Sequence, residues 1–173
     1  PSIDLELLAN MLRPGDVFCH CYQGKGETIL DKDGNVREGI KKAKERGVLF
    51  DSSNGKNNFD ISVCKSAVKS GLKPDIISSD INSSSFFLQP LHSLPRIMSK
   101  YLDFGMSVEE VLETVTINPA RAIKREDLAS IKVGTVADIA ILKVKEKGVE
   151  YSDVAGHRFI GERVFVPQLT IKS

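Results

Sequence analysis

The 173-residue sequence has no tryptophan, few other aromatic residues (6%) and only three cysteines, Cys19, Cys21 and Cys64. An odd and sparse cysteine set argues against a disulfide framework and favours a reducing compartment. No apolar run approaches the ~20 residues that a membrane span requires. The sequence also opens at Pro1 without an initiator methionine or a basic, then apolar, leader. We therefore expect a cytoplasmic protein without a membrane partner.

Charge of one sign is also missing, since 24 basic residues stand against 23 acidic ones. No basic stripe or arm is present, so nucleic acid is not an expected partner. The length suits one ordinary domain, and an apolar content of 41% can supply a core. It is too short for a complete (β/α)8 barrel, which needs roughly 200 residues or more.

Short apolar runs alternate with helical patterns up to about residue 124. The runs at 16–19, 48–51 and 75–79 are typical of strands in a buried parallel sheet. Helical patterns are predicted at residues 3–12, 37–46, 61–70, 96–104, 108–115 and 118–123. After residue 124 the pattern becomes strand-like, at 136–142, 163–166 and 168–171. The sequence therefore predicts an α/β fold followed by a small β appendix.

Two of the predicted strands run into a residue that can bind a metal, namely His20 and Asp80. In parallel α/β folds, functional side chains collect where strands end, so an imidazole and a carboxylate at one rim could share a divalent cation. Cys19 and Cys21 flank His20, but strand alternation would turn both to the opposite face, as small buried side chains. The alternatives are an isolated histidine with another use and an aspartate that caps its turn.

Other polar positions are open to two interpretations. The loop at 52–58 contains Asn54 and Lys56, which could bind an anion or an amide, or simply be solvated. His92 could contact a substrate or lie on the surface, and we expect His157, in the β appendix, to be structural.

Several segments in a fixed order resemble the amidohydrolase superfamily of metal-dependent hydrolases. The resemblance is to its dihydroorotase-like and deacetylase-like branch, some members of which are described as adenine deaminases. The segments are residues 13–22, 47–51, 74–80, 98–102, 116–122 and 134–142. The resemblance implies the C-terminal part of a (β/α)8 TIM barrel, strands six to eight, over residues 1–124. It implies part of a small β-sandwich appendix over residues 125–173.

The resemblance also implies roles for individual residues. His20 matches a metal-binding histidine, and Asp80 matches an aspartate that binds metal and acts as general acid/base. The implied cofactor is a divalent metal, with zinc as the first expectation, as one or two ions in the complete enzyme. Asn54 stands where close relatives often carry histidine, and we predict that Asn54 and Asn82 contact the substrate. The family's remaining ligands belong upstream of Pro1.

The implied function is hydrolysis of a C–N bond in a small amide, cyclic ureide or amidine. Three parallel strands would leave two unpaired edges, so we expect the chain to associate with a missing N-terminal half or with itself. Alone, it is expected to be inactive. The alternative is a non-catalytic, degenerate barrel half that binds a ligand or a partner.

Overall fold

A computed structural model describes residues 4–87 and 93–173 of the chain. Helices and short parallel strands alternate in the first part, and a long antiparallel hairpin forms the second. In chain order the elements are α1 (Leu5–Met11), β1 (Val17–Phe18), α2 (Glu38–Glu45), β2 (Leu49–Phe50), α3 (Ile61–Lys69), α4 (Leu94–Asp103), α5 (Val108–Val115), α6 (Ile117–Ala122), a 3-10 turn (Glu126–Ala129), β3 (Ile139–Ser152) and β4 (Arg158–Ile171).

Three chain segments run parallel and bring their C-terminal ends to one rim. β1 pairs with β2, and the segment after β2 continues the pairing through a single parallel bridge between Asp51 and Ile76. The amides of Ser52 and Asn54 extend this contact by donating to the carbonyls of Ile76 and Ser78, at 3.0 and 2.9 Å. The predicted third strand at 75–79 is therefore present as a parallel segment with one bridge.

The helix boundaries follow from local capping signals. α2 ends before Gly47, whose φ of 95° is the left-handed conformation that suits glycine after a helix. Ser107 and Glu110 form the predicted capping box at the start of α5. α4 begins two residues earlier than predicted because Pro95 lies in its first turn, where a missing N–H costs nothing.

The core lies between the parallel segments and the helices around them. Its largest fully buried side chains include Tyr22, Phe50 and Tyr101. The Tyr22 hydroxyl donates to the Leu72 carbonyl at 2.9 Å, which satisfies a polar group deep in the core. Side chains from α1 to α5 pack in this core together with Phe50 of β2, and the residues that follow the parallel segments form a rim.

The appendix is a two-stranded antiparallel hairpin of β3 and β4 within the described residues. Both strands are longer than predicted, and β4 is continuous where the sequence suggested two strands separated at Pro167. Pro167 pairs with Leu142 beside a register shift, a position that tolerates the missing N–H. The charged stretch at 143–150 forms strand because its partner supplies the pairing, which propensity alone does not indicate.

The hairpin packs along α4. The Phe165 amide donates to Ser99 Oγ at 2.9 Å, and the Glu162 amide donates to Asp103 Oδ1 at 3.1 Å. A second sheet that would complete a sandwich, and the boundary at residue 124, remain predictions. Within residues 4–87 and 93–173, no helix is both long and apolar enough to cross a membrane.

Candidate metal and catalytic site

Strained backbone marks the rim. His20 (φ 54°), Ser53 (φ 38°) and Asp80 (φ 47°) each follow one of the three parallel segments and adopt the left-handed conformation. Among the described non-glycine residues, Lys124 is the one other case. Left-handed backbone costs non-glycine residues about 1–3 kcal/mol and clusters at functional sites. The strained residues therefore lie at the strand ends where the sequence predicts functional side chains.

The His20 ring is held by hydrogen bonds that select one tautomer. Its Nδ1 lies 2.9 Å from the Ser53 carbonyl oxygen, which can only accept, so Nδ1 carries the proton. Nε2 then presents its lone pair, which accepts a 3.4 Å hydrogen bond from the side-chain Nδ2 of Asn58, and a cation would take the place of that donor. A neutral imidazole with Nδ1–H bound to a carbonyl is the state in which histidine ligates metals through Nε2.

Asp80 lies against the same short loop. Its side chain is so close to Gly55 that a Cβ at this position would collide with the carboxylate. The backbone of Gly55 is not in the left-handed range, so its conformation does not require glycine. Glycine is required because a side chain would collide with Asp80. Asp80 is exposed, and its carbonyl accepts a 3.3 Å bond from Asn82. The rim thus holds an accessible carboxylate beside residues 53–55.

His20 and Asp80 both border the loop at 53–55, one at its start and the other at its end. A neutral imidazole nitrogen and a carboxylate oxygen suit zinc and related divalent cations. A catalytic zinc site uses three protein ligands and leaves a further position open, so these two residues would supply part of one.

Asn54 is turned inward. It is 2% exposed, its Nδ2 donates to Ser52 Oγ and Tyr101 Oη at 3.0 Å each, and its Oδ1 accepts from Lys100. Burial lowers the pKa of Lys100 to about 8. These contacts give Asn54 a role in bracing the loop, and contact with a substrate remains a prediction.

Asn82 is exposed and organises the next turn. Its Oδ1 accepts from the amide and hydroxyl of Ser84, at 3.0 and 2.7 Å. Its predicted substrate contact also remains a prediction.

The cysteines differ from expectation. Cys21 is buried as predicted, but Cys19 is exposed. β1 ends at Phe18 and His20 adopts a left-handed turn, so strand alternation does not extend to this position. Partial burial and the carboxylates of Asp51 and Asp80 raise the pKa of the Cys19 thiol. The prediction of two buried cysteines was wrong for Cys19, which lies near the rim.

A second group of metal-compatible side chains joins the hairpin tip to α3. Asp60, Asp153 and His157 place one ligand atom each within 4.8 Å of one another. Both carboxylates also accept hydrogen bonds from the backbone: Asp60 Oδ1 caps α3, and Asp153 Oδ2 accepts from the Ile61 amide at 2.7 Å. His157 Nδ1 lies 3.0 Å from Asp153 Oδ2. The group of Asp60, Asp153 and His157 is accordingly a tether between the hairpin tip and α3.

His92, the other histidine considered in the sequence, lies outside the described residues.

The comparisons with known proteins agree with this architecture. The model of the Amidohydrolase family matches residues 19–166. A deacetylase of Brucella anthropi is 32% identical over 171 residues, which is 99% of this chain and 42% of the relative. The chain therefore belongs to the amidohydrolase family, and it spans less than half the length of this relative.

Solved structures give the same result. The chain matches an adenine deaminase with a TM-score of 0.91 and 27% identity, covering 97% of this chain and 46% of the other. It matches a dihydroorotase with a TM-score of 0.82 and 32% identity, covering 96% and 43%. The fold is thus part of an amidohydrolase-type barrel, while the assignment to strands six to eight remains a prediction.

Proposed function

We propose that this chain is the C-terminal portion of a metal-dependent hydrolase that cleaves a C–N bond in a small amide, cyclic ureide or amidine. The observation that supports the proposal is that His20 contacts Ser53 and Asp80 contacts Gly55, at opposite ends of one short loop, with His20 held as the Nδ1–H tautomer. Relatives and structural neighbours named deacetylase, adenine deaminase and dihydroorotase support this substrate class.

His20 would hold a divalent cation through Nε2, and Asp80 would bind the same centre through its carboxylate. Zinc is the first expectation because imidazole and carboxylate are among its usual ligands. A bound divalent cation makes water a usable nucleophile near neutral pH. Asp80 would accept the proton of the attacking water and return it to the leaving nitrogen, as a general base and then an acid.

Metal binding tests the assignment. Zinc titration of the purified chain by calorimetry, with metal analysis, is compared for wild type, His20→Gln and Asp80→Asn. His157→Gln and Asp33→Asn are matched controls of the same chemistry elsewhere on the chain. We expect His20→Gln and Asp80→Asn to weaken zinc binding at least ~10-fold, and the two control substitutions to leave it unchanged.

The opposite pattern would contradict the proposal. Loss of zinc in His157→Gln, with retention in His20→Gln, would move the metal to the tether of Asp60, Asp153 and His157. In the complete barrel, Asp80→Asn should lower kcat by about 10²-fold or more, as loss of a general base does. Unchanged kcat would reject the acid/base role of Asp80, and a complete barrel without turnover would instead favour a non-catalytic barrel half.

The chain is also proposed to associate with the remaining part of the barrel or with a second copy. The apolar side chain of Val17, on β1, is 38% exposed, and that of Ile81, after the third parallel segment, is 41% exposed. In the described residues, β1 pairs with β2 alone, which leaves its other edge open. The half-length match to relatives supports a missing portion as the partner.

A further inference from the structure

Asp51 is a buried carboxylate at the end of β2, only 9% exposed. It accepts from the Ser53 amide at 3.0 Å, from the Ser53 hydroxyl at 2.7 Å, and from the Ser78 hydroxyl at 2.9 and 2.8 Å to its two oxygens. Among the described residues, none of the ion pairs involves Asp51. Burying a carboxyl group costs free energy, and here neutral donors alone offset that cost.

The contacts of Asp51 converge on Ser53. Both polar groups that Ser53 can donate, its amide and its hydroxyl, are used on the same carboxylate. These bonds offset the cost of the left-handed backbone at Ser53 (φ 38°). Ser78 joins the carboxylate to the adjacent parallel segment, so the position of Ser53 is fixed from two strands.

The fixed backbone of Ser53 directs its carbonyl at the His20 ring, at 2.9 Å from Nδ1. The carbonyl decides which nitrogen carries the proton, and thus which nitrogen is free. A change of a few tenths of an ångström at Ser53 would weaken that bond, because hydrogen bonds fall off steeply with geometry.

We propose that Asp51 is a positioning residue: through Ser53 it holds His20 as the Nδ1–H tautomer and presents Nε2 to the cation. The part of this inference that concerns the cation rests on the proposed function. The part that concerns the tautomer does not, because it is a property of the metal-free chain.

The test is the tautomer of His20 by long-range ¹H–¹⁵N NMR, without metal and above pH ~7.5, where an ordinary imidazole is neutral. Wild type should show the Nδ1–H form. Asp51→Asn and Ser78→Ala should each raise the fraction of the Nε2–H form, with the His157 ring signals as an internal control. Ser53→Gly keeps the carbonyl and tolerates the backbone, so it should change the tautomer less than Asp51→Asn.

Zinc affinity is measured in parallel and should fall about 10–100-fold in Asp51→Asn. Unchanged His20 tautomers in Ser78→Ala and Asp51→Asn would overturn the inference, and Ser78→Ala keeps the test valid if Asp51→Asn fails to fold. If wild type shows the Nδ1–H form but the complete barrel binds no zinc at the rim, the proposed function fails while the positioning role stands.

Discussion

The residues at the rim have different roles, and the residue types alone do not indicate which residue has which role. His20 and Asp80 carry the proposed chemistry, while Asp51 and Ser53 set the orientation of the His20 ring. Asn54, placed in the sequence as a substrate contact, lies behind the loop with its polar atoms bonded to protein groups. Asn54 is therefore a buried residue that braces the loop from within.

Gly55→Ala should disrupt the rim, because the new Cβ would meet the Asp80 carboxylate and force it to move. We expect zinc affinity to fall at least ~10-fold, with a loss of about 1–3 kcal/mol in the free energy of unfolding. Calorimetry and urea unfolding measure these quantities. Gly148→Ala is a matched control, since a Cβ there has its nearest neighbour at an ordinary 3.6 Å. Equal effects of the two substitutions would contradict the steric account.

Lys100 gives a pH signature because burial lowers its pKa to about 8 from a usual value of 10.5. Between these values the unfolded chain holds the proton and the folded chain has lost it, so this group makes stability rise with pH. When Lys100 loses its proton, the folded state is relieved of a desolvation penalty on the order of 3 kcal/mol. Buried tyrosines and cysteines act in the opposite direction, because burial raises the pKa of Tyr101 and Cys64.

The contribution of Lys100 is therefore measured as a difference. Urea unfolding of wild type and Lys100→Met is compared near pH ~7.5 and ~10, where the tyrosine and cysteine terms largely cancel between the two proteins. Wild type should gain stability relative to the variant as the pH rises. A difference independent of pH would show that Lys100 keeps an ordinary pKa.

Among the secondary-structure elements, the hairpin is connected to the barrel portion by two kinds of contact. Along its length, β4 packs on α4, and the Phe165 amide bonds to Ser99 Oγ. At its tip, Asp153 caps the start of α3 through the Ile61 amide. The tip contact includes a titratable pair, so it should respond to pH.

The pair of Asp153 and His157 predicts the direction of that response. The hydrogen bond to Asp153 raises the pKa of His157, so its stabilisation is full below the ordinary imidazole pKa of ~6.5 and is lost as the pH rises through the folded value. Partial burial would raise the pKa of Asp153, but bonds from Ile61 and His157 hold it below its usual range. Its contribution is present above the ordinary carboxyl pKa and is lost in acid. Asp60 faces the same pair at 3.6 Å from His157 Nδ1.

Two variants separate these terms. The stability advantage of wild type over His157→Gln should be larger near pH ~5.5 than near pH ~8.5, since only the protonated ring pairs with the carboxylates. Asp153→Ala should cost about 2 kcal/mol at neutral pH, because it leaves the Ile61 amide without its acceptor. Urea unfolding at the two pH values is the measurement. An advantage of wild type over His157→Gln that grows with pH would contradict the ion pair.

The chain spans less than half the length of the relatives it matches, and its fold is part of a barrel. Large apolar side chains are exposed, with Phe87 at 87% and Val17, on the open edge of β1, at 38%. Exposed apolar surface and open strand edges promote association. The chain is one part of a larger arrangement in this proposal.

The purified chain should accordingly self-associate and lack turnover. Light scattering after size exclusion should give a mass above the 19.0 kDa of one chain. A charge placed on the open edge, Val17→Lys, should shift the chain toward the monomer, while Leu112→Lys on α5, 36% exposed, should not. Full C–N hydrolysis by a monomer of the purified chain would overturn this prediction.

Much of the fold could be predicted because its signals are local. The α5 capping box, the glycine after α2 and the apolar runs that precede His20 and Asp80 are each contained in a few consecutive residues. The extent of the hairpin was missed because residues 143–150 form strand through pairing with β4 and packing on α4, which are contacts of long sequence separation. The exposure of Cys19 was missed because the left-handed turn at His20 has no sequence signal.

The sequence by itself determined the parallel segments, the residues at their ends and the family resemblance, since periodicity, capping and ordered motifs are properties of neighbouring residues. Only the tertiary structure decided which nitrogen of His20 carries the proton, that Asp51 holds Ser53, and that Asn54 faces inward. The His20 and Asn54 bonds join different segments, and Ser78 joins Asp51 to a third, whereas the bonds between Asp51 and Ser53 are local. Their geometry is set by how the strands and α4 pack, and linear spacing does not encode it.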